Sequence, residues 1–247
     1  MNLIITGCIK PNKNVPYLTI VDEKERFNDY CETIKWAIKE TKFNKIVFCD
    51  NSNYKFDYNE YENLAHQYNK RFEYLTFCGS NEEICKKGKG YGEGEIINHT
   101  LLNSNLLKNE DYFFKITGRL KIENINKIIK NNNKNYFMNR HLTKQVDTRF
   151  YGIKKKDFIL ALKYAYEAVD DINGYFLEHA YFDSLNNKKI KYRTFYSNPN
   201  FLGKSGSTGT IYDVKKELKL FEFIKNIFYY TNISNSKLYS KIRNILR

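Results

Sequence analysis

No stretch of the chain approaches the roughly 18 consecutive apolar residues that a membrane span requires. The amino terminus, MNLIITGCIK, stays apolar for only three residues before polar ones return, which does not suit a secretory signal. Cysteine is scarce. Cys8, Cys31, Cys49, Cys78 and Cys85 are odd in number and contain no CxxC spacing. They read as reduced, buried or incidental thiols of a cytoplasmic protein rather than a disulfide framework. Histidines and cysteines lack metal-ligand spacing. No GxGxxG follows the first apolar run, no GK[ST] closes a P-loop, and no nucleophile elbow is present. Internal repeats are also missing.

Aromatic residues and positive charge are abundant. With 21 Tyr and 18 Phe the chain has the material for a packed core, so its polarity does not mean disorder. At 247 residues it can form one large α/β domain. The net charge of +13 calls for an anionic partner: nucleic acid, a membrane surface or a phosphorylated substrate. The same wealth of Lys, Asn and Ile is also what an AT-rich genome produces. No nucleic-acid-binding motif appears and the basic residues are spread along the chain, so no nucleic-acid partner is expected.

Apolar periodicity gives alternating strands and helices. NLIITG, KIVFCDNS, FEYLTFCG and DYFFKITG read as strands. Between them, residues 26–41, NEYENLAHQYNKR and GEGEIINHTLLNSNLL read as helices. Helices between successive strands favour an α/β fold with a mostly parallel central sheet. Farther on, NKNYFMNRH, TRFYGIKKK and KYRTFYSNPN predict strands, and KKDFILALKYAYEAV and GYFLEHAYFDSL predict helices.

In an open α/β sheet, ligands sit beyond the carboxyl ends of the strands. Polar residues stand at each such end: Thr6 and Gly7, Asp50 to Ser52 with Asn51 between them, Gly79 to Asn81, and Lys115 to Arg119 with Thr117 between them. Their convergence predicts a phosphate- or nucleotide-binding cleft. GKGYGEGE, with Lys89, Gly90 and Gly92, opens the helix before the fourth strand. Its glycines allow either an anion at the helix amides or close packing of the helix.

The order of elements, with the blocks FCDNS, GYGEGEII, KITGR and SGSTG, resembles GT-A-type glycosyltransferases, especially small ones of bacterial capsule, lipopolysaccharide and O-antigen biosynthesis. The resemblance covers roughly residues 1–212 and implies a GT-A-like, Rossmann-like catalytic domain. It places Asp50 against the nucleotide base or ribose. Most such enzymes carry Asp-x-Asp at the end of the fourth strand; here that position reads KITGR, as in a subgroup without the motif. Carboxylates are absent from 112–122. Lys115 and Arg119 are therefore expected to neutralise the donor diphosphate in place of a metal ion, so that no metal cofactor is expected. Otherwise one of them simply pairs with a surface Glu.

The resemblance further implies a nucleotide-diphosphate sugar as donor, a glycan or lipid-linked glycan as acceptor, and a catalytic base near the start of a late helix. INGYFLEHAYFDSL fits that place, making Glu178 the candidate base of an inverting transfer. Asp147 is the second candidate, and Arg149 is expected to meet the donor phosphate or an anionic acceptor. Lys204, Ser205, Ser207 and Thr208 of GKSGSTGT suit a loop that orders over the diphosphate. A sugar-phosphate nucleotidyltransferase is the alternative enzyme, although ITGCIKPN lacks the glycine-rich loop that class uses. Residues 213–247 read as a tail of basic amphipathic helices. From 214 on, eight Lys or Arg face two Glu, as expected of peripheral attachment to an anionic inner membrane face. Packing of the first tail segment on the catalytic domain is the other reading.

Overall fold

The computed structural model describes residues 1–129, 134–140, 143–204 and 211–212. Strand β1 (Asn2–Gly7) is buried along its whole length. Such continuous burial suits a central parallel strand covered on both faces. It pairs in parallel with β2 (Lys45–Asp50) on one side and β4 (Tyr112–Thr117) on the other, and β3 (Arg71–Thr76) extends the parallel set beyond β2. The sheet continues with β7 (Gln145–Lys154), antiparallel to β4 and to β6 (Asn135–Arg140), and ends on β8 (Tyr192–Arg193). Seven strands thus run in the order β3-β2-β1-β4-β7-β6-β8, a mixed α/β sheet with a parallel half and an antiparallel extension. A smaller sheet joins β5 (Leu120–Ile122), β9 (Phe201–Lys204) and β10 (Ile211–Tyr212).

Helices cover both faces. Helix α1 (Glu23–Glu40) starts at Asp22, whose side chain accepts from Glu25 N at 2.7 Å. It lays Tyr30, Ile34, Ala37 and Ile38 on Leu3, Ile5 and Phe48. The shorter α2 (Asn59–Gln67) precedes β3, α3 (Asn81–Lys87) follows it, and a single turn, α5 (Ile125–Ile128), follows β5. On the opposite face, α4 (Lys89–Asn103) and α7 (Leu177–Asn187) pack Ile97, Leu177, Ala180, Tyr181 and Leu185 against Ile4, Val47, Phe113 and Tyr151.

The single helix expected over 155–169 is broken. A short turn α6 (Lys155–Asp157) runs into a π-helical turn (Phe158–Leu162), and a separate 3-10 turn follows (Ala165–Ala168). Phe158, Ala161 and Leu162 turn inward while Ile159 and Leu160 stay exposed, which a π turn permits by widening the helix. The late strand expected over 191–200 shrinks to Tyr192–Arg193 at the sheet edge.

Register fixes the functional end. Gly7 aligns with Asp50 and Thr6 with Thr117, so the carboxyl ends of β1, β2 and β4 stand side by side. Helix α7 begins at the same end, where Thr148 of β7 reaches Glu178.

Candidate functional site

A cavity of about 440 Å³ opens over these strand ends, within the range of small-ligand sites. Thr6, Gly7, Asn51, Ser52, Thr117 and Arg119 line it, as the strand ends predict. Lys89 and Gly92 of α4, Glu178 of α7, Arg149 of β7 and Lys204 of β9 also reach it.

Arg119 sits in the tight turn between β4 and β5. Gly118 N donates to Thr6 O at 2.8 Å. A Cβ on Gly118 would lie 2.5 Å from that oxygen and 2.5 Å from the Tyr30 ring, so only glycine fits. The chain then turns through a left-handed Arg119 with φ of 68°. This conformation brings the guanidinium to 5.8 Å from the Tyr30 ring centroid. Its Nε and Nη1 are buried and have no acceptor among the described residues. A buried donor without a partner is costly and points to a group that the site is built to receive.

The other cations are occupied. Arg26 gives Nε to Cys8 O at 2.6 Å, Nη1 to Ile20 O at 2.9 Å and Nη2 to the Tyr30 hydroxyl at 3.1 Å, which ties down the loop after β1. Arg149 donates Nε to Asp147 Oδ1 at 2.9 Å and lies 4.2 Å from the Phe201 ring and 5.3 Å from that of Tyr212. Burial opposes its charge, yet Asp147 and Tyr212 hold its pKa above the usual value. Lys204 bonds Glu25 at 2.7 Å. Lys89 is shifted downward by burial, against the pull of Asp171 and Glu178.

Four expected site residues lie off the cleft. Asp50 is fully buried, and its carboxylate accepts from Ile9 N at 2.7 Å, Ser52 N at 2.9 Å, Tyr54 N at 3.1 Å and Thr76 Oγ1 at 3.0 Å. It shapes the loops after β1 and β2 instead of facing a nucleotide. Asn51, itself buried, lines the cleft, and its Oδ1 has no partner among the described residues. Ser52 turns its hydroxyl to Asp50 at 2.8 Å.

Lys115, also fully buried, runs beneath the cleft. Its Nζ contacts Glu93 Oε1 and donates to Thr117 Oγ1 and Thr148 O, both at 2.8 Å. Burial draws its pKa down to about 7, opposed by the carboxylates of Glu178 and Asp147. The carboxylate missing from 112–122 thus arrives from α4. Gly90 serves packing: its N–H donates to Asp171 Oδ2 at 3.1 Å, so α4 is already capped by an internal anion. The same acid needs glycine at 88, with φ of 103°, because a Cβ there would lie 2.2 Å from Asp171 Oδ2. Asp147 is the counter-ion of Arg149, whereas Glu178 lines the cleft.

Glu178 stands in the first turn of α7 and accepts from Thr148 Oγ1 at 2.7 Å. His179 beside it is a structural post: its Nδ1 accepts from Phe176 N at 3.2 Å and its Nε2 meets Gln145 Nε2 at 3.0 Å. Ser205, Ser207 and Thr208, like the tail from 213, lie outside the described residues.

Glu93, Asp171, Arg26 and Tyr30 were not foreseen from the sequence. Charges inside helical stripes normally read as solvent-facing, and only the glycines around Glu93 signal that α4 is pressed against its neighbours. Among the described residues no three His, Cys, Asp or Glu side chains converge to hold a metal ion. The end of β4, where the sequence resemblance would put Asp-x-Asp, presents a guanidinium, and Glu93, a carboxylate lining the same cleft, is bound to Lys115. That donor set does not fit a divalent cation.

No protein-family model and no curated protein matches the chain. Among solved structures, it is similar to a Desulfovibrio desulfuricans G20 protein provisionally assigned as a nucleotide-diphospho-sugar transferase. Identity is 8%, coverage is 78% of this chain and 79% of that one, and the TM-score is 0.43. HddC from Yersinia pseudotuberculosis matches at 13% identity over 82% of this chain and 92% of its own, with a TM-score of 0.39. Likeness of that extent assigns no activity to this chain, whose membership stands at the level of the mixed α/β fold.

Proposed function

We propose that this chain is a nucleotide-sugar-dependent glycosyltransferase that builds a bacterial surface glycan by an inverting, metal-independent transfer. The observation that carries the reading is Arg119, which lines the cleft over the strand ends and whose buried Nε and Nη1 have no acceptor among the described residues. A guanidinium edge is shaped to grip phosphate oxygens as a bidentate fork. The donor diphosphate lies against it, with Lys89 adding charge, and the nucleoside extends toward Asn51 over β2. Glu178 removes the proton from the acceptor hydroxyl as its oxygen attacks the anomeric carbon. The bond from that carbon to the diphosphate breaks, and its electron pair leaves on a phosphate oxygen that Arg119 stabilises. The proton ends on the Glu178 carboxyl.

The acceptor is a glycan, free or carried on lipid. The basic tail at 213–247 holds the enzyme at an anionic bilayer surface where a lipid-linked acceptor would be found.

Titration calorimetry in EDTA with UDP, GDP and dTDP, each against its nucleoside, tests the proposal. One diphosphate should bind at least tenfold more tightly than its nucleoside, and Arg119→Ala should abolish the difference. Binding that requires Mn²⁺, or no preference for any diphosphate, refutes it.

A further inference from the structure

Glu93 is a charged residue of the cleft that the proposed transfer does not yet use. Its Oε1 is saturated: it contacts Lys115 Nζ, accepts from Thr117 Oγ1 at 2.8 Å and meets Thr6 Oγ1 at 3.4 Å. No described residue bonds its Oε2. That oxygen is not among the buried unpartnered atoms either, and the side chain lines the cleft at 21% exposure. The carboxylate is therefore pinned by one oxygen and presents the other to the cavity in a fixed direction, as a preorganised acceptor should.

Position narrows what that oxygen meets. Glu178 Oε1 accepts from Thr148 Oγ1 at 2.7 Å, and Thr148 O accepts from Lys115 Nζ at 2.8 Å. Lys115 in turn contacts Glu93, so one short chain of bonds joins the two carboxylates beneath the cleft. Asn51, by contrast, follows the end of β2, on the far side of β1 from β4. A donor with its nucleoside over β2 and its diphosphate on Arg119 puts its sugar between Glu93 and Glu178. A carboxylate accepts hydrogen bonds and repels another carboxylate at close range.

We infer that Glu93 Oε2 receives hydroxyl or amino hydrogens of the donor sugar, and that the transferred sugar is a neutral or amino hexose rather than a hexuronate. This rests on the donor reading above. It assigns to Glu93 a specificity role, separate from the proton transfer at Glu178.

The test is calorimetry on the full chain with UDP, GDP and dTDP and with their hexose and hexuronate esters. Wild type should bind the neutral-sugar ester at least tenfold more tightly than the hexuronate ester of the same nucleotide. Glu93→Gln should weaken the neutral ester by about ten- to a hundredfold, the worth of a hydrogen bond to a charged acceptor. It should leave the free diphosphate within about twofold. Glu93→Gln combined with Lys115→Met removes the buried pair together and gives the same readout should the single variant fold poorly. Equal wild-type affinity for hexose and hexuronate esters, or equal losses for ester and free diphosphate in the variants, overturns the assignment of Glu93 alone. Failure of every diphosphate to bind wild type overturns the donor reading and this inference with it.

Discussion

Replacing Arg119 by alanine should damage binding while leaving the fold intact or firmer, and the two effects can be sized separately. Nε and Nη1 are buried without acceptors among the described residues, and each such donor costs about 1–3 kcal/mol of desolvation. Against that, the contact with Tyr30 at 5.8 Å returns about 1 kcal/mol. The two methylenes that alanine lacks, Cγ and Cδ, return up to about 1.6 kcal/mol, at about 0.8 each. The left-handed φ of 68° is as uncomfortable for alanine as for arginine, so it cancels. The space left behind joins the cleft and fills with water. The balance runs from about zero to a gain of about 3 kcal/mol, or up to roughly 6–12 °C in melting temperature for a chain of this size. Scanning fluorimetry of wild type and Arg119→Ala, each with and without the selected nucleoside diphosphate, reads both effects. Wild type should gain several degrees from the ligand, and the variant little or none. A variant that melts several degrees below wild type without ligand would show the guanidinium to be part of the scaffold, and the argument from its unpaired nitrogens would fail.

Glu178→Gln should lower kcat by about two to four orders of magnitude with donor KM nearly unchanged; retained anomeric configuration in the product, seen by NMR, would move the base elsewhere. Lys115→Met should cost about 3–5 kcal/mol by urea unfolding, because it strips Glu93 of its buried partner, and adding Glu93→Gln should restore most of it. Two equally damaging variants would show that the charge pair itself is not what matters. Among the thiols, exposed Cys78 should react first with DTNB at pH 8. Cys8 and Cys49, pushed up to about 12 by burial, should stay silent until denaturant is added. Early modification of Cys8 would mean that the cleft is more open than its lining implies.

The first half of the fold was legible because parallel strands buried on both faces announce themselves as apolar runs, and the helices between them carry regular stripes. Strand ends in such a sheet must come together, so Thr6, Asn51, Thr117 and Arg119 could be grouped without coordinates. Side-chain direction was harder to read. Lys115 lies two residues before Thr117 and four before Arg119, yet the turn at Gly118 sends Arg119 into the cleft while Lys115 stays below. Asp50, expected in the cleft beside Asn51, turns away from it for a similar reason: successive residues face opposite sides, and the loops needed an internal acceptor. The break at 155–168 left no trace in the periodicity, since a π turn shifts the stripe by one residue only.

The cleft draws on residues at 6, 51, 93, 119 and 178, and the strand that supplies Thr148 enters the sheet antiparallel, beside β4, only after the parallel half is laid down. During synthesis the first four strands can assemble early, but α7 emerges when most of the chain is already out. Until then the cleft has its floor of strand ends but not the wall that Glu178 supplies. On the reading proposed above, the groups assigned to the diphosphate are made before the carboxylate assigned to the proton.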